Sequence, residues 1–225
     1  MLQNVKKKTR KGMNSMAHTI ICIGRQYGSG GREIGETLAK KLGVPCYDKL
    51  LLQRAAQDAH LAPEEIAARE ERPLGLSDLV SGNVFADSAA LTTAFYSERS
   101  VVYDAERRAI LEAADVGDCV IIGRCASAIL RESGHRVLSC FLYADMDDRL
   151  KRVEARTGLS PKEAARRIAK VDRLRRHYFD FYADTPWGEP ASYDLMLSSS
   201  RYGIDGAAEL ILGALRALQK EADAQ

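Results

Sequence analysis

The sequence predicts an α/β protein, a parallel sheet covered by helices on both faces. Three observations lead there. Short, almost wholly apolar runs recur at Ile20-Ile21-Cys22-Ile23, at Cys119-Val120-Ile121-Ile122 and within Arg136 to Tyr143. They alternate with longer stretches of helical periodicity, the pattern of strand–helix–strand units whose strands are buried on both sides. The first run also passes through a glycine-rich stretch, Gly28-Ser29-Gly30-Gly31, directly into an amphipathic segment. That is a place where backbone N–H groups and a helix N-terminus can cradle an anion.

The elements follow in order. Thr19 to Gly24 is expected as a buried strand, and the helix after the glycine stretch runs to about Leu42, where Gly43-Val44-Pro45 stops it. Glycine suits a helix C-cap and proline cannot continue a helix. Residues 46 to 57 resume apolar periodicity and supply a further strand. A helical segment is expected near Pro63, with Glu64 and Glu65 favourable to its dipole. Residues 73 to 88 are turn-rich, and a long helix is expected from about Ala89 to Ala114. Strands are expected at Asp118 to Gly123, Arg136 to Tyr143 and Asp194 to Ser198, and a last helix from Asp205 to about Ala222. Ser160-Pro161-Lys162-Glu163 reads as a capping box with proline at the first helical position, so a helix starts there.

Composition narrows the function classes. No apolar run approaches the ~18 residues of a membrane span. Cys22, Cys46, Cys119, Cys125 and Cys140 form no C-x-x-C pair and no zinc spacing, and mostly sit in strand-like runs. That favours core thiols in a reducing cytoplasm. His18, His60, His135 and His177 are scattered, which excludes a histidine-based catalytic set. The net charge of +2 hides an asymmetry. Residues 149–176 hold eleven Lys and Arg against Glu154, Glu163 and Asp172, and residues 1–18 add five cations and no acid. Residues 1–18 are expected as a disordered basic tail, with Met13 and Met16 as alternative starts. The remainder is net acidic, so a nucleic-acid partner is not expected. The basic segment needs an anionic partner instead.

The glycine stretch resembles a phosphate loop with altered residues. The standard loop ends Gly-Lys-Ser/Thr, with Lys on the β/γ-phosphates and the hydroxyl on Mg²⁺. Here Gly31 takes the lysine's place, Arg32 is the nearest cation, and Glu33 is read as replacing the hydroxyl. Arg25 or the arginines of the basic segment are the alternative sources of charge.

Taken together, these features resemble the P-loop nucleoside monophosphate kinases, and within them the cytidylate kinase-like family. The resemblance spans about Thr19 to Leu212. Arg25-Gln26-Tyr27-Gly28-Ser29-Gly30-Gly31 is similar to that branch's loop, and Ile122-Gly123-Arg124-Cys125-Ala126 to its later strand end. Tyr47-Asp48 with Arg54 six residues on, the Asp172/Arg175 pair, and Asp194 to Ser200 match further parts. The fold this implies is a P-loop NTPase three-layer fold: a five-stranded parallel sheet, a helical acceptor-binding insertion at about 60–105, and a basic lid at about 149–182. One kinase-like domain would span 19–222.

The activity implied is ATP-dependent transfer of the γ-phosphate to a nucleoside monophosphate or a related small phosphate-bearing acceptor, with Mg²⁺ accompanying ATP. By this resemblance Arg25, Gly28, Ser29, Gly30, Gly31, Arg32 and Glu33 bind the donor, and Asp48, Arg54 and Arg124 the acceptor. Arg32, Asp172 and Arg175 form the catalytic set, with Arg175 on the transferred phosphoryl, while Glu33 and Asp48 bind the metal. Cys125 stands where cytidylate kinases place an Asp that helps read the base, and a thiol is a poor acceptor for an exocyclic amine. The competing reading is a nucleotide or phosphate sensor that retains the binding fold without efficient transfer.

Overall fold

A computed structural model describes residues 18–48 and 103–223 of the chain. Within them the elements are β1 (Ile20–Arg25), α1 (Gly31–Leu42), β2 (Cys46–Tyr47), α2 (103–116), β3 (Cys119–Ile122), α3 (Ala126–Glu132), β4 (Val137–Tyr143), α4 (Met146–Thr157), α5 (Pro161–Tyr182), β5 (Leu195–Ser198) and α6 (Ser199–Asp223). The five strands form one sheet in the order β2-β3-β1-β4-β5. Every pairing is parallel, with Ile21 opposite Val120 on one side and Leu138 on the other.

The apolar runs do what their two-sided burial predicts. Ile20 and Cys22 of β1 pack with Cys119, Ile121 and Phe141 on one face, against Ala109, Ile110 and Ala113 of α2 and Ile129 of α3. Ile21 and Ile23 point the other way, with Val120, Ile122 and Cys140, against Ile34 and Leu38 of α1 and Ala208 and Ile211 of α6. Successive strand residues feed opposite cores, so a run with no polar alternation is the correct code for this sheet. The molecule is therefore three-layered, α/β/α.

Local signals set the element ends. Gly43 caps α1 at φ 69°, with the Val44 N–H donating back to the Ala39 carbonyl at 3.0 Å. Gly158 ends α4 in the same left-handed region. Ser160 opens α5, its N–H donating to the Glu163 carboxylate at 3.0 Å. Hydrogen bonds from the Ser160 hydroxyl and N–H hold the Glu163 carboxyl below its ordinary value. The α4–α5 hairpin has its own small core of Val153, Ala164 and Ile168, joined by Tyr27 from the glycine loop.

Three boundaries differ from the sequence reading. The expected strand at 46–57 is only Cys46–Tyr47 among the described residues. Asp194 precedes β5 instead of opening it, because its carboxylate is engaged by Arg131 and by the Ser139 N–H, both at 2.7 Å. The last helix begins at Ser199 and breaks at Gly203 (φ 67°, ψ −174°). The expected start at Asp205 thus describes the stretch beyond that break. The expected helix from Ala89 is seen as helical over 103–116. The basic tail 1–17, the segment near Pro63, most of the 60–105 insertion and Arg54 lie outside the described residues.

Candidate active site

The glycine loop leaves β1 at the carboxyl end of the sheet and opens α1. Five consecutive carbonyls in it accept hydrogen bonds, four from α4, α5 and α6 and one from the loop's own Ser29. The Arg25 carbonyl accepts from Arg175 Nη1 at 3.0 Å, that of Gln26 from the Ser29 hydroxyl at 2.9 Å, and that of Tyr27 from Arg149 Nε at 2.8 Å. Gly28 O accepts from Arg152 Nη1 at 3.3 Å and Ser29 O from the Ser199 hydroxyl at 2.6 Å. None of the described residues accepts a hydrogen bond from the N–H groups of Gly30, Gly31 or Arg32. Gly28 and Gly30 sit at φ 80° and 74°, which only glycine adopts without strain. A loop with its carbonyls held by the protein and its N–H groups unspent at the start of a twelve-residue helix is built to receive an anion.

Beside the loop lies a cavity of about 230 Å³, and Arg25, Arg124 and Arg175 all line it. They arrive from three elements: the end of β1, the turn after β3, and the middle of α5. Gly123, Arg124 and Cys125 occupy the left-handed region together, at φ 82°, 61° and 53°. Two non-glycine residues in that conformation cost roughly 1–2 kcal/mol each. Such strain is characteristic of sites rather than of connecting turns.

Burial first, and the Arg25 charge second, bring the Arg175 guanidinium down to about 9. Burial brings Arg124 down to about 10 and also lowers Arg25. An arginine guanidinium stays cationic at neutral pH, and Arg25 repels both of the others in a half-enclosed space. An anion among them relieves both penalties.

Carboxylates anchor the arginines from behind. Glu106 of α2, 1% exposed, lies 3.2 Å from Arg124 and accepts from the Tyr178 hydroxyl. Burial raises its carboxyl to about 7 against the pull of Tyr178. Asp48 sits 3.7 Å from both Arg25 and Arg32. Asp172 accepts from the Tyr27 N–H at 2.7 Å and is ion-paired with Arg149, itself 5% exposed.

The residues singled out by sequence divide accordingly. Arg25, Arg124 and Arg175 converge, and Gly28, Ser29, Gly30 and Gly31 form the adjoining loop. Arg32 is exposed on α1, its Nε donating to Glu36 at 3.0 Å, and it does not line the cavity. Asp172 spends its carboxylate on Tyr27 and Arg149, which makes it a positioning residue for the loop. Glu33 is exposed, and counting from Gly31 corrects its reading: the hydroxyl's place, directly after the lysine's, belongs to Arg32. Cys125 is 4% exposed, and burial pushes its thiol up, so it meets the cavity as a neutral group.

The described residues do not fit a protein-built metal cage. Asp48 is engaged by two guanidiniums, and no group of three His, Cys, Asp or Glu side chains is placed to hold an ion among them. No helix in the described residues is long and apolar enough to cross a membrane.

Glu106, Tyr178, Arg149 and Arg152 were given no individual role from the sequence. Glu106 left a signal. It stands three, four and seven residues before Ala109, Ile110 and Ala113, on the apolar face of its helix, where a carboxylate needs a buried partner. Arg149 left none, since its role depends on which loop it meets, and Ser199 entered the sequence reading only within the Asp194 to Ser200 match.

The model of the cytidylate kinase-like family matches residues 20–201. The cytidylate kinase of Pyrobaculum aerophilum is 26% identical over 197 residues, covering 86% of this chain and 90% of that protein. That of Methanopyrus kandleri is 28% identical over 174 residues, covering 70% and 89%. Among solved structures, an uncharacterized protein from Eubacterium ventriosum superposes with a TM-score of 0.66 at 26% identity, covering 88% of this chain and 98% of that one. A shikimate kinase from Bacteroides thetaiotaomicron reaches 0.52 at 16% identity, covering 89% and 99%, a likeness of fold alone. The fold is thus the α/β fold of P-loop kinases, and the family match takes in the loop, the strained turn and the arginine hairpin alike. The chain belongs to the cytidylate kinase-like family.

Proposed function

We propose that the protein is an ATP-dependent phosphotransferase, moving the γ-phosphate of ATP to a nucleoside monophosphate or a related small phosphate-bearing acceptor. One observation carries this reading: a loop with its carbonyls held by the protein and N–H groups unspent opens beside a cavity lined by three arginines. Phosphoryl transfer asks a protein mainly to hold two phosphates in line, neutralise their charge and exclude water. The N–H groups of Gly30, Gly31 and Arg32 hold the donor's phosphates, Arg124 grips the acceptor's phosphate, and Arg175 faces the group in flight. Arg54 would join Arg124 on the acceptor. Asp48 and Asp172 orient arginines and loop. Mg²⁺ would arrive on the triphosphate, with Glu33 the exposed carboxylate at the loop, and no step above depends on it. One domain over 19–222, with the 149–182 segment closing as a lid, and a cytoplasmic setting belong to the same reading.

The test is a panel of nucleoside monophosphates with Mg²⁺-ATP, scored for diphosphate formation. Turnover of any member is the expected result. ATP binding with no turnover across the panel would instead favour the sensor reading, which the glycine at position 31 keeps in view.

A further inference from the structure

Arg25 and Gly31 stand six residues apart, the separation between the first glycine and the lysine of Gly-x-x-x-x-Gly-Lys-Ser/Thr. This chain carries the reverse assignment, a cation where the standard loop has glycine and a glycine where it has lysine. Packing explains why the two go together. A Cβ at position 31 would lie 2.7 Å from Arg25 Cβ and 3.1 Å from its Cγ. Real Cβ atoms essentially never show the first distance, and neither atom is the far end of a flexible chain that could swing aside. One of the two positions must therefore be glycine, whichever of them carries the cation. The far end of Arg25 is accommodated the same way, since a Cβ on Gly123 would fall 1.8 Å from its Nη1. Arg25 runs in a slot between two glycines, from β1 past the start of α1 to the strained turn, and reaches the cavity beside Arg124.

We infer that Arg25 performs here what the lysine performs in a Gly-x-x-x-x-Gly-Lys loop: it supplies the positive charge that holds the donor's terminal phosphates, delivered from the strand instead of the helix. The identity of the ligand, ATP, rests on the phosphotransferase reading, whereas the exchange of positions rests on packing alone. A guanidinium adds a bidentate grip that an ammonium lacks. Asp48, 3.7 Å away, orients it.

The experiment measures Mg²⁺-ATP affinity by calorimetry, and turnover, for Arg25→Gly, Gly31→Lys and the double variant Arg25→Gly/Gly31→Lys. Arg25→Gly should weaken ATP by about 10- to 100-fold, the loss of a charge-assisted hydrogen bond. Gly31→Lys alone should lose thermal stability through the collision. The double variant should regain at least about tenfold over Arg25→Gly, because the cation returns in the standard position. ATP affinity unchanged in Arg25→Gly, or no tighter in the double variant than in Arg25→Gly, overturns the inference.

Should glycine within the strand prevent folding, Arg25→Lys and Arg25→Met keep a stem in the slot. Lysine should retain ATP and methionine lose it, and equal affinities overturn the proposal. Gly31→Ala should lower the melting temperature of the wild type and spare the Arg25→Gly background, and an equal loss in both denies the exchange. Failure of the kinase reading looks different: the wild type binds ATP yet phosphorylates no monophosphate, while the affinities still decide the part played by Arg25.

Discussion

Arg124 illustrates how one side chain is bought into place by its neighbours. Its backbone is left-handed, its guanidinium is backed by Glu106, and Gly123 before it leaves room for Arg25. Gly123→Ala should therefore be costly twice over. The backbone at φ 82° alone costs a Cβ-bearing residue about 1–2 kcal/mol. Displacement of Arg25 should weaken ATP besides, so denaturant unfolding and calorimetry should both register the change. Stability measured without loss of ATP affinity would mean Arg25 is not held by that contact.

Glu106 gives a pH signature. Its folded carboxyl is raised from the ordinary 4.5 to about 7, so the folded state binds more protons than the unfolded one between those values. Stability should then fall as pH rises from about 4.5 to about 7. Glu106→Gln should flatten that slope, read by chemical denaturation across the same window. A slope identical in the variant would assign the dependence to other groups.

At the scale of elements, the α4–α5 hairpin is tied to the glycine loop by more than proximity. Tyr27 packs into the hairpin's core, and Arg149, Arg152, Asp172 and Arg175 all bond loop backbone. Asp172→Ala would leave Arg149 buried without its partner, a change that typically costs about 3–5 kcal/mol. It should also speed amide exchange at Tyr27, whose N–H loses its acceptor. Loss of stability with Tyr27 exchange unaltered would separate the ion pair from loop positioning. Arg175→Ala should lower turnover by ~10³, as for comparable arginine contacts to a transferred phosphoryl, with ATP affinity little changed. Normal turnover would remove the hairpin from the transfer step. Arg166, Lys170 and Arg173, among the exposed cations of α5, belong to the part of the basic run that remains a solvated face.

For the whole molecule, three half-buried guanidiniums, with Arg25 repelling the other two, make the free protein a strained host for its own charge. Inorganic pyrophosphate should raise the melting temperature beyond the effect of sodium chloride at equal ionic strength. At a hundredfold excess over its dissociation constant the gain is about 2.7 kcal/mol, or roughly 5–10 °C for a chain of this size. Arg124→Gln should reduce that shift while leaving the sodium chloride response alone. An equal response to both salts would reduce the cavity to general screening.

The sequence by itself determined the layered parallel fold, because fully apolar strand runs have no stable home except a sheet covered on both faces. It also determined the glycine loop, the start of α5 at Ser160 and the delivery of Arg124 by β3, since these depend on local backbone chemistry and on residues adjacent in the chain. Only the tertiary structure decided which cations meet. Arg25 and Arg175 are 150 residues apart and share a hydrogen bond, whereas Arg32, next to the loop glycines, turns outward to Glu36. The choice between them follows from helix phase and from a 2.7 Å approach between the Cβ positions of residues 25 and 31. A linear pattern carries no record of such a distance, because it is set by how β1, α1 and α5 pack against one another.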